Sequence, residues 1–277
     1  MKYANLHLHS TYSDGTLTPY QLLSIGKSLG YRALALTDHE TDGGVPEFMS
    51  YAHKEGGIDT ISGMELYGMY DGFNLHLTAL DFDMDNPTLR AFVNERIESR
   101  YEATRKRVLL GIERGYIDGV SWDDIERFND KNSYFCVGSV VRAYRVLRIP
   151  VPENLNQNVF KSPEAKQFAA STPTAEEVIR IIRGAGGIIA LAHPYKRTHM
   201  IEALVGMGLN GVEISHPDNR ENTSYLAIEA AKEFNLYHCG GTDHFGAMSG
   251  LGGNHAIPAL HGITEEEYYI LKERRRG

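Results

Sequence analysis

Ala-Asn-Leu-His-Leu at residues 4–8 and Ala-Leu-Ala-Leu-Thr at residues 33–37 are apolar stretches of strand length, and they decide the fold class. Between them, Thr18 and Pro19 are typical of the N-cap and first turn of a helix. The same alternation of strand and helix patterns returns from Thr174 onward. The pattern therefore predicts an α/β fold with a mainly parallel sheet or barrel.

The middle of the chain lacks this alternation. Residues 86–173 contain a long charged helix pattern, shorter helix patterns and a stretch with several prolines and asparagines. We therefore predict two parts. Residues 1–85 and 174–277 form the α/β domain, and residues 86–173 form an inserted helical subdomain.

The net charge, the length of the apolar runs and the cysteine content argue against some classes of function. A formal net charge of −8 argues against an extended nucleic-acid-binding surface, because phosphate backbones need clustered cations, but a small phosphorylated ligand stays compatible with it. The start of the chain does not resemble a signal peptide, and no apolar run is long enough to cross a membrane. The only two cysteines lack metal-type or disulfide-type spacing, so we expect a cytoplasmic protein without membrane attachment.

Histidines are the unusual residue type, with 12 in 277 residues. His7 and His9 alternate on the first predicted strand, so both imidazoles would face the same side. Two neutral imidazoles can bind one divalent ion. A pair of surface histidines is the alternative, and the pair alone does not decide between them.

The surroundings of the other histidines favour a metal site. Nearly every predicted strand has a histidine or a carboxylate at or near its C-terminal end, where parallel α/β barrels build their active sites. Single residues of this kind are usually caps, but this repetition is not expected of caps. The candidate ligands are His7, His9, Asp14, His39, Glu65, His76, His193, Asp243 and His244.

Short motifs around these residues resemble those of the polymerase and histidinol phosphatase (PHP) domain family of metal hydrolases. The resemblance implies a distorted (β/α)7 barrel, and the helical insertion resembles a bacterial phosphoesterase subgroup. That subgroup contains nucleoside 3′,5′-bisphosphate phosphatases, a 5′-end exoribonuclease and a cyclic-phosphate dihydrolase. The matching motifs are HLHSTYSDG (7–15), LTDH (36–39), GME (63–65), LHL (75–77), AHP (192–194) and GTD (241–243).

The resemblance also implies two or three divalent metal ions, and histidine and carboxylate ligands suit Mn, Fe and Zn alike. A hydroxide bridging two of these ions would attack the phosphate. Glu65, Asp243 and His193 are the implied catalytic residues. The first ion would be held by His7, His9, Glu65 and Asp243, the second by Glu65, His76 and His193, and the third by Asp14 and His39.

The end of the last motif departs from the family pattern Asp-x-His. This chain reads Asp243-His244-Phe245, so the histidine comes one residue early. On an extended backbone, His244 would point away from the side that Phe245 faces. Either the backbone bends there and His244 is a ligand, or the third metal lacks this ligand.

Cations and one further histidine are candidates for substrate binding. Lys196 and Arg197 follow the Ala-His-Pro motif, and Arg142 lies on an inserted helix that could close over a substrate. The alternative for each is a solvated surface residue. His216 follows a strand end and matches a histidine of the same subgroup, which favours substrate contact over metal binding.

These features predict a metal-dependent phosphoesterase that acts on a small phosphorylated metabolite or a nucleotide. A nucleoside 3′,5′-bisphosphate and a sugar cyclic phosphate are both compatible with the motifs. The alternatives are a histidinol-phosphate phosphatase and a non-catalytic PHP module with a structural or regulatory role.

Overall fold

Two main sheets organise the computed structural model, which describes residues 2–244, 246–247, 254–255 and 260–273. One sheet has three parallel strands in the order β1-β2-β3, and the other has five in the order β4-β5-β6-β7-β8. A small antiparallel pair, β9 and β10, lies near the C-terminus. The strands are β1 (Ala4–Asn5), β2 (Ala33–Ala35), β3 (Asp59–Ile61), β4 (Gly63–Tyr70), β5 (Phe73–Leu80), β6 (Ile188–Leu191), β7 (Gly211–Ser215), β8 (Tyr237–Gly240), β9 (Gly246–Ala247) and β10 (Asn254–His255).

The five-stranded sheet is mixed, which differs from the mainly parallel sheet that the sequence predicts. β4 and β5 form a hairpin and pair antiparallel, as do β5 and β6, while β6-β7 and β7-β8 are parallel. Ser62 separates β3 from β4, which follow each other directly in the chain but belong to different sheets. Gly63 permits this step, because a Cβ there would lie 2.5 Å from the carbonyl oxygen of Leu36.

Single bridges join the two main sheets at one end. Leu8 pairs with Asp243, and His39 pairs with Glu65, both in parallel orientation. Among the described residues the strands do not close into a barrel. The α/β class is therefore confirmed, whereas the (β/α)7 barrel is not, and the bridges bring the C-terminal strand ends together without full closure.

Helices surround the sheets, and their ends follow local sequence rules. Thr18 caps the first helix in a capping box with Gln21, and Thr174 accepts a hydrogen bond from the backbone N–H of Glu177. Asn86 caps the longest helix, whose first residue is Pro87. The α-helices are α1 (Pro19–Ser28), α2 (Val45–Glu55), α3 (Pro87–Glu113), α4 (Trp122–Arg127), α5 (Val137–Val146), α6 (Pro163–Lys166), α7 (Ala175–Gly184), α8 (Ile201–Gly206), α9 (Thr223–Phe234) and α10 (Glu265–Glu273).

The segment between β5 and α7 contains helices, including a π-helix at Asn156–Phe160. Many of its buried apolar side chains, such as Val108, Trp122 and Tyr144, form a separate cluster, whereas Leu89 and Val93 at the start of α3 pack in the cluster of the five-stranded sheet. This supports an inserted subdomain at residues 86–173, whose boundaries stay a prediction. No helix within the described residues has both the length and the apolar character needed to cross a membrane.

Candidate metal centre

His7 and His9 follow β1 and lie side by side in the interior, each with 1% of its surface exposed. Their Nε2 atoms are 3.2 Å apart, so both point to the same space. The Nδ1 atom of His7 lies 3.1 Å from Glu213 Oε1, and that of His9 lies 3.3 Å from Ser13 Oγ. Ser13 in turn donates to Asp38. These partners leave each Nε2 free to bind a cation, as is usual for metal-binding histidines.

Glu65, on β4, is the centre of the site, with 1% of its surface exposed. Its Oε2 atom lies 2.9 Å from His39 Nδ1, and its Oε1 atom lies 3.0 Å from His76 Nδ1. One carboxylate therefore contacts five imidazoles. The other three contacts are to Nε2 of His7 at 3.4 Å, His9 at 3.2 Å and His193 at 3.2 Å.

The surrounding histidines stabilise the ionised form of Glu65. Burial alone would raise its pKa, but the neighbouring His76, His7 and His39 hold the pKa well below the usual value. Glu65 is therefore an anion throughout the physiological pH range. A buried anion surrounded by histidine nitrogens is a strong position for a bridging metal ligand.

The geometry of the donor atoms fits divalent metals. Two groups of three potential ligands, His9-His39-Glu65 and Glu65-His76-His193, have only Glu65 in common, so Glu65 can be shared by two ions. His39 Nδ1 is buried, and its 2.9 Å contact with Glu65 Oε2 is an ion pair without hydrogen-bond geometry. Donor atoms within 4.8 Å of one another are offered by His7-His9-Asp243, His7-Glu213-His216, His9-His39-Glu65 and Glu65-His76-His193.

The backbone bends at Asp243, where φ is 64°. This left-handed conformation places His244 inside the site, with 2% of its surface exposed. His244 Nε2 lies 3.3 Å from Asp14 Oδ1, and its ring stacks on His9 at 4.8 Å between centroids. The backbone bend of the first alternative is therefore present, whereas metal binding by His244 stays a prediction. Phe245 lies outside the described residues.

Asp14 and His39 face each other beside His244. His39 Nε2 lies 3.8 Å from Asp14 Oδ2. Burial lowers the pKa of His39, but Glu65 and Asp14 outweigh it and raise the pKa to about 9. Burial also lowers the pKa of His244, but Asp14 and Asp243 outweigh this effect and raise the pKa to about 10. The carboxylates therefore favour positive charge beside Asp14, carried by protons on the imidazoles or by a metal ion.

His193 also has an unusual backbone. Its φ of 28° is as rare for a residue with a side chain as the φ of Asp243. Such conformations cost about 1–3 kcal/mol each and occur mainly at functional sites. Both residues are predicted catalytic ligands.

Sequence reasoning assigned no role to two buried acids, Glu213 and Asp38. Glu213 also accepts a hydrogen bond from the backbone N–H of His193 at 2.7 Å, and Asp38 accepts from the N–H of Ser10 at 2.7 Å. The signal was present, because Asp38 lies in the Leu-Thr-Asp-His motif and Glu213 is a carboxylate within the apolar strand β7.

The predicted substrate-binding residues are dispersed. Arg197 lines a cavity of about 250 Å³ beside His193, and Lys196 is exposed, with Nζ 5.1 Å from the centroid of the Tyr195 ring. Arg142 donates to Asn129 Oδ1 at 2.5 Å. All of these substrate assignments stay predictions.

His216 has 2% of its surface exposed, and its Nε2 lies 3.4 Å from Asp243 Oδ2. Its Nδ1 accepts a hydrogen bond from the backbone N–H of Asp218 at 3.0 Å, so the proton of the neutral ring sits on Nε2 and faces Asp243. His216 therefore lies against Asp243, and its substrate contact stays a prediction.

A buried ionic cluster connects the site to α3. Glu40 follows His39, is fully buried, and accepts from Arg96 Nε at 2.7 Å and from Arg100 Nε at 3.3 Å. The guanidinium of Arg100 lies 5.1 Å from the centroid of the Tyr67 ring, which stacks on His39 at 5.2 Å. The long helix thereby supports one side of the metal centre.

Fold and site together define a class of protein in which histidines and carboxylates at the ends of α/β strands bind metal ions. Residues 5–145 match the family described as PHP domain. A 5'-3' exoribonuclease of Haemophilus influenzae is 31% identical, with 87% of this chain and 89% of that protein covered. The chain belongs to the PHP domain family, which confirms the family predicted from the sequence.

Two further relatives have different activities in their names. A phosphoribosyl 1,2-cyclic phosphate 1,2-diphosphodiesterase of Eggerthella lenta is 26% identical and covers 87% of this chain and 94% of its own length. A 3',5'-nucleoside bisphosphate phosphatase of Chromobacterium violaceum is 26% identical and covers 86% of each chain. A crystal structure from Bifidobacterium adolescentis, provisionally assigned as a metal-dependent phosphoesterase, superposes with a TM-score of 0.80 at 21% identity, covering 99% of this chain and 96% of its own. At that identity the likeness concerns the fold alone.

Proposed function

We propose that this protein is a metal-dependent phosphoesterase that hydrolyses a phosphate ester of a small phosphorylated metabolite or nucleotide. The single observation that carries the proposal is Glu65, one buried carboxylate shared by two groups of histidines. The predicted enzyme class is confirmed by membership in the PHP family and by the phosphoesterase activities that its relatives have in their names.

We assign the ligand roles as the sequence implies them. His7, His9, Glu65 and Asp243 would hold one divalent ion, Glu65, His76 and His193 a second, and Asp14, His39 and His244 a third. Mn, Fe and Zn all suit these donors. When bound, the ions would supply Lewis acidity and neutralise charge at the phosphoryl oxygens.

The protein's own residues prepare this site before any substrate arrives. Glu213 and Ser13 fix the rings of His7 and His9, so little reorganisation is needed on binding. His216 holds the second oxygen of Asp243. The exposed side of the centre is formed by His76 and His193, with side-chain exposures of 28% and 20%. A phosphate ester would therefore approach from this side.

The first test is metal content together with turnover. Protein supplied with Mn, Fe or Zn should bind at least two ions per chain and hydrolyse p-nitrophenyl phosphate. Less than one ion per chain without turnover would favour the alternative, a non-catalytic PHP module.

The second test is the variant Glu65→Gln, which should lose turnover because an amide cannot bridge two ions as a carboxylate does. Asp243→Asn should behave in the same way, and Glu176→Gln, on the exposed start of α7, is the matched control. Circular dichroism must show a folded protein in each case. Near-normal activity of folded Glu65→Gln would overturn the site assignment.

Substrate choice requires a phosphate-release screen. Nucleoside 3′,5′-bisphosphates, sugar cyclic phosphates and histidinol phosphate represent the three candidate classes. We expect turnover in one of the first two classes, because the relatives with those activities cover most of the chain. Preferential hydrolysis of histidinol phosphate would favour the alternative of a histidinol-phosphate phosphatase.

A further inference from the structure

Tyr67 borders the metal centre but has no role among the metal ligands. It lies two residues after Glu65 on β4, so both side chains point to the same face of the sheet. Its direct partner across the β4–β5 hairpin is His76, a predicted ligand of the second ion. The Tyr67 ring meets the His76 ring edge-on, with 4.7 Å between centroids, and stacks on the ring of His39, a predicted ligand of the third ion, at 5.2 Å. Tyr67 therefore lies between the ligands of two different ions.

Two residues of the segment between β5 and α7 hold Tyr67 in this place. Tyr134 contacts Tyr67 with 6.2 Å between ring centroids, and its backbone N–H donates to the carbonyl oxygen of Tyr12 at 2.8 Å. The guanidinium of Arg100 lies 5.1 Å from the centroid of Tyr67 and 5.5 Å from that of Tyr134. Glu40 pairs with Arg100 and also accepts from the backbone N–H of Tyr67 at 3.0 Å. Ring and backbone of Tyr67 are both fixed.

The hydroxyl group of Tyr67 is the polar end of this fixed side chain, and Tyr67 as a whole is only partly buried. Burial raises its pKa well above the usual value, and the neighbouring Tyr134, Glu65 and Asp14 raise it further. The hydroxyl therefore keeps its proton at neutral pH and can donate a hydrogen bond. Because Glu65 and Asp14 belong to the metal centre, this donor stands beside the space that the centre offers to a ligand.

We infer that the hydroxyl group of Tyr67 donates a hydrogen bond to the phosphoryl group of the substrate and stabilises the negative charge that develops there. A phosphate ester that enters past His76 meets the cross-strand neighbour of His76, which is Tyr67. A donor held in place before the reaction stabilises such charge without reorganisation. This inference rests on the proposed function and adds a catalytic residue to the metal ligands.

The test removes the hydroxyl group and keeps the ring. Tyr67→Phe should lower kcat/KM for p-nitrophenyl phosphate by about 10- to 100-fold, the usual effect of losing a hydrogen bond to a charged group. Binding of inorganic phosphate to the metal-loaded protein, measured by titration calorimetry, should weaken by about tenfold. Metal affinity, measured by competition with a chelator, should stay at the wild-type value because the phenylalanine ring still packs on His39.

Tyr101→Phe is the matched control. It removes a tyrosine hydroxyl group that donates to Glu126, away from the metal centre. Turnover, phosphate binding and metal affinity of this variant should equal those of the wild-type protein. Because both substitutions keep the aromatic ring, the variants are expected to fold, and melting curves check this.

The outcomes separate the inference from the proposed function. Wild-type turnover of Tyr67→Phe overturns the inference and leaves the proposed function intact. An equal loss of turnover and of metal affinity also overturns it, because Tyr67 would then act only through the ligand His39. Lower kcat with unchanged phosphate and metal affinities upholds the inference and confines the contact to the transition state. Absence of turnover in the metal-loaded wild-type protein contradicts the proposed function itself, and the inference with it.

Discussion

Replacing Glu213 by glutamine removes the partner that fixes His7. The Glu213 carboxylate accepts two hydrogen bonds, from His7 Nδ1 at 3.1 Å and from the backbone N–H of His193 at 2.7 Å. Burial alone would raise the pKa of Glu213, but His216 and His7 lower it, so the group is an anion. The two donors face different oxygens of the carboxylate, and glutamine has an oxygen at only one of these positions, so it can keep only one of the two short hydrogen bonds.

Either orientation of the glutamine amide weakens metal binding. With its NH2 group toward His7, the proton of the imidazole moves to Nε2, which is the atom needed for the metal. With its oxygen toward His7, the buried N–H of His193 loses its acceptor. Loss of such an outer partner typically weakens metal affinity about 10- to 100-fold. This corresponds to about 1.4 to 2.8 kcal/mol.

The assay is competition with a chelator of known affinity, using Zn²⁺ or Mn²⁺ and metal-free protein. Glu233→Gln, an exposed position on α9, is the control and should bind as the wild type does. Urea unfolding of each metal-free protein separates lost affinity from lost folding. If the Glu213→Gln protein is folded and binds metal as tightly as the wild type, Glu213 does not position His7.

Three further predictions concern stability and pH. Glu40→Gln should lower the free energy of unfolding by about 3–5 kcal/mol, because it leaves two arginines near a neutral buried group. Gly241→Ala should also destabilise the protein, by about 1–3 kcal/mol or more, because the new Cβ would lie 2.5 Å from the His7 backbone nitrogen. Metal affinity should rise from pH 6.5 to 9, since the pKa of His39 is raised to about 9 and its proton must leave before a metal binds.

The two stability predictions have control variants. Urea unfolding of Glu164→Gln, which breaks the exposed pair with Arg114, should show a change below about 1 kcal/mol. Gly184→Ala has open space around its new Cβ and should not destabilise α7. Equal losses of unfolding free energy in the test and control variants would contradict the argument from burial. A metal affinity that does not change with pH would contradict a protonated His39 in the metal-free protein.

The sequence predicted a site at the strand ends, and the structure brings the candidate ligands together, although Glu65 and His76 lie within β4 and β5. Its motifs identified Glu65, and the structure places five histidines around that residue. Local rules also predicted helix starts such as Thr18 and Thr174, since a cap depends on residues only three positions away. Sheet topology was less predictable. The split at Ser62 depends on how closely two distant strands approach, and hydrophobic pattern does not report that distance.

The sequence by itself determined the chemical type of the candidate ligands. Imidazoles and carboxylates in motifs that follow the order of the PHP family indicate a metal site without any knowledge of how the strands are arranged. The tertiary structure decided how those ligands are supported. The left-handed backbone of Asp243 turned His244 into the site, and the pairing of Glu213 with His7 joined residues 206 positions apart. Both depend on contacts across the sheet, which form only when the chain is folded.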